Sequence, residues 1–386
     1  MMHTSVRGRV ALVWLAAALA LGPAGCSSGG GGSEQARGRK PVREAPGVTA
    51  PQHQQQTERL ATGTAALAEP EPVAPLRLST LRERALGSLE AAARDADAQV
   101  RSNAMEFALL APRRMSAARA SALSDPNPAV RTSALVTIGR AGLAEHVDRV
   151  APLTADSSAF VRSAAIFAMA KLGRGADSDV STLADILFND PSPRVRAHVA
   201  FLLGELGQPG AAGMLRDAAA APMSQATSAE AALLRLQIAE AMVKLGQEGE
   251  LPAIRAALYA ARPEDLEASA LAVQILGQLR DRGSTDYLVW MTGQRDEQGN
   301  PLPAEVRLSI AAALAKIGMS RGDFIADEFI DHPSPAIRAQ AADVYGHTGT
   351  PRNLAKLERM LEDPSPVVRV YAAAAILRTA DRQTAR

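Results

Sequence analysis

The feature that most constrains this chain is an internal repeat. An apolar residue followed by arginine recurs as Val100-Arg101, Val130-Arg131, Val161-Arg162, Val195-Arg196, Leu234-Arg235, Val306-Arg307, Ile337-Arg338 and Val368-Arg369, with Ala268-Ser269 in a ninth slot. Successive copies lie 30, 31, 34, 39, 34, 38, 31 and 31 residues apart. Three residues after each arginine stand Ala104, Ala134, Ala165, Val199, Ile238, Ala272, Ile310, Ala341 and Ala372. Seven after it stand mostly larger apolar residues, such as Ile138, Met169, Leu203, Met242, Leu276, Leu314 and Ile376. Offsets of −1, +3 and +7 fall on one stripe of a helix. Glycine at +11 in six copies (Gly142, Gly173, Gly207, Gly246, Gly318 and Gly349) marks the helix end, where a left-handed residue is needed. Asn127-Pro128, Ser192-Pro193, Ser334-Pro335 and Ser365-Pro366 mark its start, a capping side chain before a proline at the first helical position. A second amphipathic stretch precedes each start, as in 180–188 (VSTLADILF) and 354–361 (LAKLERML). Each unit is thus a helical hairpin whose exposed apolar stripe needs a neighbour. The pattern predicts an all-α fold, an α-solenoid of about nine hairpins spanning 76–386. Aromatics at only 3% fit closely packed Ala- and Leu-rich helices.

The repeat resembles the HEAT repeat, in the short bacterial variety related to phycobilisome-lyase repeats, whose hallmark is Asp-Pro-x-x-x-Val-Arg-x-x-Ala-x-x-x-Leu-Gly. Asp125-Pro126 with Val130-Arg131, Asp190-Pro191 with Val195-Arg196, and Asp363-Pro364 with Val368-Arg369 match closely. Asp95 with Arg101 and Asp156 with Arg162 match without the proline. In the Arg338 copy His332 takes the Asp slot and Asp331 lies one earlier, so a different turn is expected there. The resemblance implies a superhelical stack presenting a long, gently curved concave face to a protein or peptide partner. It also implies that Asp125, Arg131, Asp156, Arg162, Asp190, Arg196, Arg338, Asp363 and Arg369 form a structural spine. In that reading each Asp satisfies free amides at a helix start, and each Arg bonds loop oxygens or carboxylates along the stack.

Signals of chemistry are few. The net charge of +1 argues against a nucleic-acid partner. The histidines are His3, His53, His146, His198, His332 and His347, and no pair has the i, i+4 spacing of a metal-binding helix face. A HEAT-like enzyme family, the deoxyhypusine hydroxylases, holds two irons with repeated His-Glu dipeptides; this sequence has none, its nearest approach being the reversed Glu145-His146. Gly-x-Ser-x-Gly, Walker A and strand-borne dinucleotide motifs are also missing. No catalytic, cofactor-binding or metal-binding residue is expected. The competing class is a lyase-like or other small-molecule-handling factor built on the same repeats. Two stretches, 222–230 and 293–305, lengthen their repeats, and insertions of this kind map to solenoid edges. Beside the second stand Tyr287 and Trp290, a candidate partner contact, although Leu288, Trp290 and Met291 equally suit the filling of a wider gap between repeats.

The amino terminus reads as an address. Arg7 and Arg9 precede an apolar run, 10–21, whose rise of about 18 Å as a helix falls short of the ~30 Å hydrocarbon core. The only cysteine follows in Gly22-Pro23-Ala24-Gly25-Cys26-Ser27-Ser28. This resembles the lipobox of bacterial lipoproteins, which implies that 1–26 is a lipoprotein signal and Cys26 the acylated first residue of the mature chain. Ser27 in place of Asp implies sorting to the periplasmic face of the outer membrane. Residues 27–75, rich in Gly, Ser, Pro and Gln, read as a disordered tether; a flexible coil of that length spans roughly 40 Å.

Overall fold

The computed structural model describes residues 74–384 apart from 176–180, 223–225, 260–264 and 296–297. The expected signal, tether and Cys26 lie outside the described residues. Helical hairpins follow one another along the chain. Helices α1 (Pro75–Ala92) and α2 (Ala98–Phe107) form the first, α3 (Ser116–Ala122) and α4 (Pro128–Ala141) the second, and α5 (Val147–Val150) and α6 (Ala159–Lys171) the third. Next come α7 (Ser181–Asn189) with α8 (Pro193–Leu206), α9 (Ala211–Ala220) with α10 (Ser228–Lys244), and α11 (Leu251–Ala256) with α12 (Leu266–Gln278). The last three pair α13 (Thr285–Met291) with α14 (Ala304–Ile317), α15 (Asp323–Asp327) with α16 (Pro335–Thr348), and α17 (Leu354–Met360) with α18 (Pro366–Thr384). The even-numbered helices carry the apolar-arginine motif, with Ala268-Ser269 in its place on α12.

Local chemistry sets the boundaries. Asn127 accepts a hydrogen bond from the Ala129 amide at 2.8 Å. Thr227 and Glu230 close a reciprocal capping box at the start of α10. The six glycines eleven residues after the motif position all take positive φ, between +64° and +121°.

Packing is layered. Each even helix lies against the even helix of the next unit, and each odd helix packs mainly on the even helices beside it. Even neighbours approach closely because small residues face each other: a methyl group on Gly346 would sit 2.7 Å from the Ala375 Cα, and one on Gly204 2.8 Å from the Ala241 Cα. A tightly spaced even layer beside a bulkier odd layer must curve toward the even side, and the curvature accumulates over nine units.

The stack therefore closes. Helix α18 packs along α1 and touches α2, where Phe107 meets Tyr371 edge-on at 4.9 Å between ring centroids. One apolar core runs through this junction, joining Leu81, Leu89 and Val100 of the first unit to Val368, Tyr371 and Leu377 of the last. Two further cores fill the middle units. The open concave face expected from the sequence is thus the inside of a ring.

Candidate functional site

The motif turns come first. The Asp125 carboxylate accepts the Asn127 amide at 2.8 Å and both Nε and Nη2 of Arg101 from the preceding unit at 2.8 and 2.9 Å. Arg131 donates to the Asp125 carbonyl within its own turn and to the Asp156 carboxylate of the next unit. Arg338 likewise donates to the His332 carbonyl and twice to Asp363 at 2.8 Å. Arg162 bonds the carbonyls of Asp156 and Ser157, Arg196 the Leu187 carbonyl, and Asp190 accepts the Ser192 amide. Arg369 bonds the Asp363 and Pro364 carbonyls. The His332 turn keeps the same form as the others, because His332 Nδ1 accepts the Ser334 amide at 3.1 Å where a carboxylate does so elsewhere. Imidazole has no carboxylate oxygens to pair with a guanidinium, and Arg307 pairs with Glu328 instead, at 2.8 Å through both terminal nitrogens.

A second stripe runs along the even helices at two, five and nine residues after the motif position. It carries Asn103, Glu106, Arg140, His198, Phe201, Glu205, Gln237, Glu240, Lys244, Lys316, Gln340, Asp343, His347 and Arg378. Arg140 on α4 reaches past α6 to the Glu205 carboxylate on α8 at 2.7 Å, and Lys244 on α10 joins them at 2.8 Å. Lys244 also meets Glu240 at 2.7 Å, and Arg140 and Lys244 both lie over the Phe201 ring. Opposite, Arg378 on α18 donates to Asp343 on α16 at 2.6 Å, with His347 at 3.4 Å. Glu106 on α2 feels Arg378, Arg140, Asp343 and Lys316, groups from four other helices. Such convergence requires that this stripe faces the centre of the ring.

Burial and pairing set the charges there. Burial pushes the Glu106 carboxyl up to about 7, against the pull of Arg378 and Arg140. Burial also opposes ionisation of Asp343, yet His347 and Arg378 hold it well below the usual carboxylate range. Against the cost of desolvation, half-buried Glu205 is held at about 2 by Arg140 and Lys244. Burial lowers His347 to about 4 despite Asp343, and lowers His198 to about 4. Lys316 is lowered by burial, against Asp343, Glu106 and Glu240. Alternating charges thus fill the centre with ion pairs. Among the described residues no group of three His, Cys, Asp or Glu has metal-binding geometry.

The third feature lies on the outer layer. Tyr287 and Trp290 of α13 stack at 4.9 Å between centroids, and Tyr259, just beyond α11, extends the stack at 4.3 Å from Tyr287. Tyr259 is 57% exposed, whereas Leu288 and Met291 turn into the core. Burial and the neighbouring Tyr259 raise the Tyr287 hydroxyl to about 12. Beside this stack the inserted loop is pinned by an Arg295–Pro301 bridge and an Arg295 bond to the Gly299 carbonyl at 2.8 Å. Pattern reasoning singled out Tyr287 and Trp290 but missed Tyr259. The scarcity of aromatics in this chain was the available signal.

Residues 180–273 match the family model described as HEAT repeats. Among curated proteins no relative was found. Human deoxyhypusine hydroxylase, solved in complex with glycerol, is similar at 18% identity over 69% of this chain and 96% of its own, with a TM-score of 0.35. A phycocyanin lyase complex from Nostoc is similar at 16% identity over 68% and 96%, TM-score 0.38. An engineered protein is similar at 13% identity over 84% and 98%, TM-score 0.32.

Proposed function

Because this chain is a HEAT-repeat protein, we propose that it serves as a non-enzymatic protein-interaction scaffold, anchored by lipid at Cys26 to the bacterial cell envelope, on the periplasmic face of the outer membrane. The ring's centre is occupied by its own ion pairs, which leaves the outer layer and the rims for a partner. The observation that carries the reading is the aromatic cluster of Tyr259, Tyr287 and Trp290 on the outer layer, in which Tyr259 is exposed over a half-buried Tyr287 and Trp290 packed against the core, the kind of anchored aromatic edge that protein interfaces use. Photo-crosslinking from position 259 in the native envelope tests it. One dominant protein adduct, lost in Tyr287→Ala, supports the reading; no adduct above background contradicts it. Cys26→Ala tests the anchor separately, through loss of lipid labelling and release from the membrane fraction. A small-molecule-handling factor is the competing reading, and Glu106 favours it, as a carboxyl held near neutrality among cations. A stoichiometric organic ligand retained through purification would select that alternative.

A further inference from the structure

The flank of the α17–α18 unit is covered by α1. Helix α1 is 18 residues long, whereas the other odd helices run from 4 to 10. Leu78, Leu81, Ala85, Leu89 and Ala92 form one stripe along it, with Leu81, Ala85 and Leu89 fully buried. On its polar side, Arg77 and Arg84 meet Glu358 at 3.2 and 2.7 Å, Arg84 also meets Glu362 at 2.7 Å, and Arg82 meets Asp381. All three acids belong to the last unit. Here α18 takes the odd helix α1 along its side more extensively than any other even helix takes the odd helix of the next unit, and it touches the even helix α2 as well. At the start of α1, Ala74 offers no capping side chain and Leu76 is 80% exposed.

We propose that the α17–α18 flank is a docking groove for a basic amphipathic helix, that α1 occupies it in cis, and that a partner's helix of the same chemistry displaces α1. The cis occupant specifies the ligand: a leucine stripe about four turns long, flanked by arginines placed to meet Glu358, Glu362 and Asp381. The ion pairs there are exposed and salt-screened, so they select a basic helix without locking α1 in place. This inference rests on the scaffold reading and names the chemistry of one partner.

The test uses the full chain and a fluorescein-labelled peptide of residues 75–92, followed by anisotropy. In Arg82→Glu/Arg84→Glu the cis helix is weakened but the groove is intact. The peptide should bind this variant at least tenfold more tightly than the wild type, and lose affinity in about 0.5 M salt. A peptide with both arginines reversed should bind neither. Hydrogen exchange that shows α1 released with no saturable peptide binding overturns the proposal, and so does exchange that shows α1 still fully protected. If the charge-reversed chain does not fold, a protease site placed in the 93–97 turn and cut after folding gives the same answer. Exchange of α1 for labelled peptide supports the groove; failure to exchange refutes it. Crosslinking from position 259 is independent of both experiments, so failure of the scaffold reading is recognised separately.

Discussion

Two kinds of interface hold this ring together, and they differ in chemistry. Between α16 and α18, in the body of the stack, glycine faces alanine at van der Waals distance, and Arg338 reaches Asp363 from a side chain only 13% exposed. At the seam between α18 and α1, leucines supply the burial, and the arginines that accompany them are 38 to 61% exposed. The first kind is written into every repeat and propagates. The second occurs once, uses residues outside the repeat pattern, and joins the two ends of the described chain. A ring built this way propagates along the stack by one chemistry and closes by another.

That contrast sets the expected order of mutational effects. Gly346→Val should cost most, about 3 kcal/mol or more, because the added carbons meet the Ala375 backbone and force two even helices apart. Denaturant unfolding gives the value, and a loss under 1 kcal/mol would mean the even layer is looser than described. Arg338→Ala comes next, at about 2 kcal/mol, since it leaves the half-buried Asp363 carboxylate without its paired guanidinium donors. Arg84→Ala at the seam should cost under about 1 kcal/mol and vanish in high salt. Equal losses at positions 338 and 84 would erase the distinction between the two interfaces.

The pH dependence sharpens the same comparison at the centre of the ring. His198 and His347, held near 4 when folded against 6.5 when unfolded, make unfolding take up protons in that window, so their contribution to stability falls as pH drops from about 6.5 to 4. Glu106 works the other way. Its folded value near 7 lies above its unfolded 4.5, so stability is present below 4.5 and is lost as pH rises through 7. Two histidines against one glutamate leave about one net proton, a slope of about 1.4 kcal/mol per pH unit between 4.5 and 6.5. Glu106→Gln should raise the melting temperature at pH 8 relative to the parent and steepen the loss on acidification; an unchanged profile would show that Glu106 is not buried among these charges.

Much of the fold was legible because each repeat states it again. Val-Arg, the capping residue before proline, and the terminal glycine are local signals. The stripe at −1, +3 and +7 is the one a helix presents to its neighbours. The central stripe was not legible for a physical reason. Arg140, Glu205, Lys244, Lys316 and Arg378 are charged positions that, on a straight stack, form an ordinary solvated face. Only closure turns it inward. Closure in turn depends on curvature summed over all units, which no single repeat encodes. The His332 turn was expected to differ because a carboxylate was missing, but a ring nitrogen accepts the same amide. Tyr259 was missed because it comes from another hairpin, 28 residues before Tyr287. The length of α1 and its three arginines are the sequence's one hint of the seam.

Closure itself is the proposition to test first. Spin labels at Arg82→Cys and Asp381→Cys, in a Cys26→Ser background, report the seam directly by pulsed electron resonance. Packed helices lie about 10 Å apart, so a closed ring gives one narrow distribution at the short end of the measurable range. An open array of nine units at that spacing would separate the same labels by about 80 Å, and a broad distribution at long distance would contradict the ring.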